Sequence, residues 1–232
     1  MQIGILGTGI VGQTIGSTLA AAGHDVLYGT RDVAATQART EPDAFGNPSF
    51  GDWQRQHPEV KLGTFADAAK HGDVVVNATA GAITLGALDL AGADNLVDKV
   101  LVDVTNPLDF SVGFPPRFSV CNDDSLGEQV QRACPGANVV KTLNTINYGL
   151  MNRPDLIEGD HNLFVSGDDA EAKATVTGLL VDAFGWKADN IIDLGDITTA
   201  RGTEMMFALW ARLYARTGNA LINFNVKAAD AE

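Results

Sequence analysis

Short apolar runs alternate along the chain with stretches in which apolar residues recur every three or four positions. The first pattern reads as a buried strand and the second as a helix with one buried face. On that basis residues 3–6 form the first strand. Residues 11–22 form the first helix, with Val11, Ile15 and Leu19 spaced to face the sheet. Gly23 stops that helix in the usual glycine manner. Further strands are expected at 26–28, 60–62, 73–77, 99–104 and 138–143, with helices at 65–71, 83–90 and 125–133. Thr64, with Asp67 three residues on, makes a capping pair for the helix at 65–71. The polar stretch 33–59 holds Pro42, Pro48, Pro58 and the pair Gly46-Asn47, which predicts helix, loop and helix at the surface.

Strands that alternate with helices predict βαβ units and a parallel sheet. Residues 1–145 are expected to form this α/β domain. Residues 146–232 are expected to form a small C-terminal α/β extension, with strands at 163–166 and 191–194 and a helix at 169–184. A long final helix begins at 199 or 201 and ends at 217, carrying Met205, Met206, Leu209, Trp210 and Leu213. The polar tail 228–232 is expected to fray.

Composition narrows the function classes. With 45% hydrophobic and 19% charged residues among 232, the chain can bury a sizeable core. A formal net charge of -13 repels phosphate backbones and anionic lipid surfaces, so nucleic acid and membrane partners are not expected. No run approaches the ~20 apolar residues of a membrane helix. The only cysteines are Cys121 and Cys134, which suits two reduced thiols in a cytoplasmic protein.

The strongest motif is Gly7-Thr8-Gly9-Ile10-Val11-Gly12, placed between the first strand and the first helix. There Gly7 allows a tight turn, Gly9 lets a pyrophosphate approach the backbone, and Gly12 lets the helix pack close to the strand. The helix N-terminus supplies free N–H groups and partial positive charge. The fold class is therefore a Rossmann-type doubly wound parallel sheet that binds a dinucleotide. An NAD site places an acidic residue about 20 residues beyond the turn. Here that region reads Tyr28-Gly29-Thr30-Arg31-Asp32, with glycine where the acid is expected. Thr30 and Arg31 offer a hydroxyl and a guanidinium to a 2′-phosphate, so NADP is the expected cofactor. The competing reading takes Asp32 as the NAD acid and Arg31 as a solvated cation; Arg39 is a weaker candidate for the phosphate.

Ala78 and Thr79 follow the fourth strand and Asn106 the fifth, where ligands of open α/β sheets bind, although such residues also form ordinary turns. The search for acid–base or nucleophilic machinery is mostly negative. His24, His57 and His71 lie in or beside surface turns and read as incidental; His161 precedes a strand and could be near the site, but loop placement is the expected reading. No spacing suggests a metal. Lys141, with Asn144 and Asn147 downstream, reads as an organiser of a polar pocket rather than a catalytic amine. Hydride transfer between two bound rings needs proximity and orientation more than a strong acid or base.

The order of several segments resembles the NADPH-dependent F420 reductase family, the F420H2:NADP+ oxidoreductases. They are the glycine turn, Gly29-Thr30-Arg31, residues 103–107, Lys141-Thr142-Leu143-Asn144-Thr145, residues 164–168 and residues 193–204. The resemblance implies hydride exchange between NADP(H) and coenzyme F420, with the rings stacked in a cleft beside the C-terminal part. It implies that Gly7, Thr8, Gly9, Ile10, Val11 and Gly12 hold pyrophosphate, that Thr30 and Arg31 hold the 2′-phosphate, and that Ala78 and Thr79 border the ribose path. Asn144, Thr145 and Asn147, with residues 198–201, would border the deazaflavin. It also implies a homodimer, for which Met206, Trp210 and Tyr214 share a helix face, although that face equally suits the core. Residues 41–58, with Phe45, Phe50 and Trp53, read as an insertion. Alternatives are a reductase of a flavin, a ferric chelate or an imine, and a redox sensor that binds NADP(H) without turnover.

Overall fold

A computed structural model describes residues 1–43 and 46–229. Phe45, part of the predicted insertion, and the last three residues of the predicted frayed tail lie outside the described residues. Strand β1 (Gln2–Leu6) leads into helix α1 (Ile10–Ala21), then β2 (Asp25–Thr30), α2 (Val33–Ala38), α3 (Phe50–Gln56), β3 (Lys61–Thr64), α4 (Phe65–His71) and β4 (Val74–Asn77). Next come α5 (Thr84–Ala91), β5 (Val100–Asp103), the short β6 (Leu108–Asp109) and β7 (Arg117–Phe118), α6 (Leu126–Ala133) and β8 (Asn138–Lys141). The C-terminal part contains α7 (Tyr148–Met151), β9 (Leu163–Val165), α8 (Ala170–Asp182), β10 (Ile191–Asp193) and α9 (Ala200–Thr217).

Six strands form one parallel sheet in the order β3-β2-β1-β4-β5-β8, which is the doubly wound Rossmann arrangement. The sheet order reverses between β1 and β4, and this is where such sheets open a binding crevice at the strand carboxyl ends. β9 and β10 make a parallel pair of their own. They are joined to the large sheet by a single antiparallel bridge, in which Lys141 and Ser166 exchange backbone hydrogen bonds of 2.8 and 3.1 Å. One apolar core runs through both parts. Ile3 and Ile5 of β1 and Ile15 and Leu19 of α1 belong to the same buried cluster as Val176 and Leu180 of α8, Phe184 and Trp186. No described helix is long and apolar enough to cross a membrane.

Local chemistry explains most boundaries. α4 begins with both halves of the predicted capping box, Thr64 and Asp67 each bonding the other's backbone N–H. α9 ends where Gly218 turns left-handed at φ 69°. β8 stops at Lys141, two residues before the predicted end, because Leu143 adopts φ 60° and leaves the extended region. β2 runs on to Thr30, beyond the predicted 28, because Gly29 and Thr30 still pair with β3. The second of the predicted surface helices, within the insertion, is α3, and it is not wholly at the surface. Its Phe50 is buried and packs with Trp53 against Tyr28, ring centroids 5.2 to 5.6 Å apart, adding a small aromatic core beside β2. The β6–β7 hairpin and α7 have no counterpart in the sequence pattern.

Candidate active site

The glycine turn has the geometry its sequence predicts. Gly7 takes φ 115°, and its N–H donates to the Gly29 carbonyl at 3.0 Å. A Cβ on Gly12 would lie 2.4 Å from the Gly7 carbonyl oxygen, so only glycine lets α1 start this close to β1. Gly9 is the residue before the helix. It brings no side-chain cap, and the first turn carries no acidic residue. The leading N–H groups of α1 are therefore available to an anion, and the helix dipole favours one there. A Cβ built on Gly9 meets nothing within 4 Å, so the space above it is open.

At the end of β2 the geometry bears on cofactor choice. A Cβ on Gly29 would stand 2.8 Å from the Ala68 Cβ, leaving no room for the acidic side chain of an NAD site. Asp32 is the cap of α2, with Oδ1 accepting from the Ala35 N–H at 2.9 Å, which commits one of its two oxygens to the helix start. Thr30 is buried, with its hydroxyl 2.8 Å from that of Thr36. Arg31 is exposed just beyond the strand.

Along the strand ends lies a cleft of about 540 Å³. Gly9, Ile10, Val11, Ala78, Thr79, Asn106 and Asn144 line it, whereas Gly7, Thr8, Gly12, Thr30 and Arg31 do not. The Asn106 and Asn144 side chains meet across the ends of β5 and β8. Asn106 Nδ2 donates to the Asn144 carbonyl at 2.7 Å, and Asn144 Nδ2 donates to Asn106 Oδ1 at 3.1 Å. Thr79 donates its hydroxyl to Asn77 Oδ1 at 2.7 Å. Thr145 and Asn147 also line the cleft, as the resemblance implies, but residues 198–201 do not.

The opposite wall is aromatic, and sequence reasoning did not assign it to the site. Phe207, Trp210 and Tyr214 of α9 face the cleft, with Phe110 and Phe114 from the hairpin. Trp210 and Tyr214 stack with centroids 5.5 Å apart and planes 6° apart. Phe114 meets Tyr214 edge-on at 5.6 Å. The 207, 210, 214 spacing was the available signal, but the same spacing suits a core stripe. The insertion also contributes. Asp43 and Asn47 line the cleft, and Tyr148 donates its hydroxyl to Asn47 Oδ1 at 3.2 Å. Asp43 is the only charged residue among the lining residues described.

Two lining residues carry buried polar atoms without a partner among the described residues, the Thr145 hydroxyl and the Trp210 indole nitrogen. Buried polar groups are normally satisfied, so these atoms suit a ligand that brings its own polar edge. The open space above Gly9 and the uncapped helix suit a pyrophosphate in the same way.

Two polar residues singled out in the sequence are buried outside the cleft lining. Lys141 does not line the cleft; its ammonium is buried and donates to Asp103 Oδ2 at 2.8 Å, to the Thr105 carbonyl at 2.5 Å and to Glu204 Oε1 at 2.8 Å. Burial disfavours the ammonium, but the two carboxylates outweigh it and hold its pKa above the ordinary lysine value. With all three donors engaged it offers no lone pair to a substrate. His161 lies in the loop before β9, as expected, and is buried there. Its Nε2 lies 3.0 Å from the Pro154 carbonyl and its Nδ1 2.7 Å from Asn223 Nδ2.

Comparison with known proteins agrees with this arrangement. Residues 2–107 match the family model described as NADP oxidoreductase coenzyme F420-dependent. A crystal structure from Arthrobacter sp. FB24, provisionally described as an F420-dependent NADP-reductase, is 52% identical, with a TM-score of 0.90 over 98% of this chain and 100% of that one. The F420-dependent NADP reductase of Methanothermobacter marburgensis is 28% identical over 98% of this chain and 93% of its own. Metalloreductase STEAP3 of Rattus norvegicus is 26% identical over 88% of this chain, which spans only 36% of that protein. The chain therefore belongs to the coenzyme F420-dependent NADP oxidoreductase family, and it is an NADP-dependent oxidoreductase.

Proposed function

We propose that this protein exchanges a hydride between NADP(H) and a flat second cofactor held against the α9 aromatics, and that coenzyme F420 is that acceptor. The observation that carries the reading is the aromatic ladder Phe207, Trp210 and Tyr214, which faces the strand ends across the cleft. In this reading residues 1–145 carry the cofactor and residues 146–232 complete the acceptor side. Gly7, Thr8, Gly9, Ile10, Val11 and Gly12 bind the pyrophosphate with backbone N–H groups. Thr30 and Arg31 bind the 2′-phosphate. Ala78 and Thr79 border the ribose path, and the paired amides of Asn106 and Asn144 border the nicotinamide. When bound, NADPH supplies the hydride. The protein's part is to stack the acceptor ring, exclude water and hold the two rings at a fixed separation, which requires no charged acid–base pair.

A second reading has its own support. The lining described carries no Lys or Arg, which suits an uncharged flavin better than a coenzyme with an acidic tail. Stopped-flow absorbance separates the two. Mixing NADPH with F420 should oxidise one and reduce the other mole for mole. Oxidation of NADPH by riboflavin, with F420 untouched, would replace the acceptor but keep the cofactor. The 2′-phosphate site has a separate check. Arg31→Ala should weaken NADPH binding by about 1.5–3 kcal/mol, as the loss of a hydrogen bond to a charged group does, and leave NADH unchanged. Equal losses for both nucleotides in calorimetry would remove Arg31 from that role.

A further inference from the structure

Lys141, Asp103 and Glu204 are buried, lie outside the cleft and are not used by the chemistry proposed above. They come from three elements. Asp103 ends β5, Lys141 ends β8, and Glu204 sits in the first turns of α9. Each lies just before cleft-lining residues on its own stretch of chain: Asp103 before Val104, Lys141 before Leu143 and Asn144, and Glu204 one turn before Phe207. The ammonium bridges the two carboxylates. The second negative charge is met by α6, whose Leu126 and Gly127 N–H groups each donate to Glu204 at 2.9 Å. Helix N-termini favour such a charge. α6 is fixed to α9 again through Arg201, whose guanidinium donates to both oxygens of Glu128 at 2.6 and 2.8 Å.

Buried ions are costly, and an apolar contact of equal volume often holds a helix as well. What an ion cluster adds is direction, because each oxygen and each N–H admits only a narrow range of positions. We infer that Lys141 and Glu204 are positioning residues, which fix the α9 aromatic wall relative to the strand ends and so set the gap across which hydride passes. This rests on the reading that transfer takes place in the cleft.

Glu204→Gln tests it. The glutamine keeps the size, but its amide NH2 must face the Leu126 N–H or the Lys141 ammonium, so α9 shifts rather than detaches. NADPH affinity should stay within about twofold, because the glycine turn is untouched. Turnover should fall roughly tenfold to a hundredfold, the scale on which misplacement of about 1 Å acts. The primary isotope effect with NADPH deuterated at the transferring position should rise as transfer becomes slower than release. Val176→Ala, a core change on α8 of comparable loss in melting temperature, should leave turnover and isotope effect unchanged. Turnover kept by Glu204→Gln, or lost equally by Val176→Ala, overturns the inference.

Two further measurements need no acceptor. If unaltered enzyme passes no hydride to F420, the acceptor assignment fails alone. Quenching of the Trp210 emission by bound NADPH, taken as the difference from Trp210→Phe, must then change in Glu204→Gln; an identical value overturns the inference. If Glu204→Gln does not fold, hydrogen exchange on the unaltered protein decides. The Leu126 and Gly127 amides and those of α9 from Glu204 to Tyr214 should slow together when NADPH binds. Slowing of only one set rejects the coupling.

Discussion

Two glycines in the same turn should respond in opposite ways to the same substitution. A methyl group on Gly12 collides with the Gly7 carbonyl oxygen at 2.4 Å, which is backbone and cannot rotate away. Gly12→Ala is therefore expected to destabilise the fold by about 1–3 kcal/mol, the range for overpacking. Gly9 already has φ -73° and ψ 175°, which alanine adopts without strain, and its missing Cβ faces open space. The poorer N-cap and the smaller entropy of the unfolded chain roughly offset each other, so Gly9→Ala should keep its stability within about 1 kcal/mol. It should nevertheless lose at least about tenfold in NADPH affinity, since the methyl group occupies the space through which the pyrophosphate approaches the backbone. Urea unfolding and calorimetry on the two variants read the contrast. A Gly9→Ala protein that binds NADPH normally would place the pyrophosphate elsewhere.

Helix starts carry the next level of control, and α6 is the clearest case. Ser125 caps it by accepting from the Glu128 N–H at 3.1 Å and donates its own hydroxyl to Glu128 Oε2 at 2.8 Å. The Arg201 guanidinium, together with Ser125, holds the Glu128 pKa below the usual carboxylate range although the side chain is buried. A lowered folded pKa stabilises above the unfolded value of about 4.3, and that gain disappears as pH falls through the folded value. Glu128→Gln should thus cost about 1 kcal/mol at neutral pH, discounted because Arg201 is partly exposed, and the difference from the parent should vanish in acid. A gap in urea midpoints that persists below pH 3 would contradict this origin. Such local devices explain what the sequence reveals and what it hides. The Thr64–Asp67 box, the glycine turn and the alternation of apolar runs act within a few residues, so a linear reading finds them. The partners of Lys141 lie 36 or more positions away, so spacing alone gives no trace of them, and the two-residue strands β6 and β7 are too short to show an alternation. The α9 aromatics were visible as a stripe, but only tertiary placement distinguishes a site wall from a core or a subunit contact.

At the scale of the molecule, the cofactor-binding sheet and the C-terminal part share their apolar core. Ile15 and Leu19 on α1 cluster with Val176, Leu179 and Leu180 on α8, and Trp186 lies in the same cluster with its indole N–H donating to the Met151 carbonyl at 2.8 Å. Removing the C-terminal part would expose these α1 residues and Val140 of β8, each worth about 1.5–3 kcal/mol when buried. Losses of that size, summed over these three side chains, are comparable with the total stability of an ordinary domain. The whole chain is accordingly expected to unfold in one transition, with Trp186 fluorescence, far-ultraviolet dichroism and NADPH binding lost at the same urea concentration. A fragment ending at residue 145 should fail to fold or to bind nucleotide, although it contains the entire glycine turn and the end of β2. Two separated transitions, or a fragment that still takes up NADPH, would mean that the sheet stands without its partner. In that event α8 would serve to carry the acceptor side of the cleft rather than to stabilise the cofactor side.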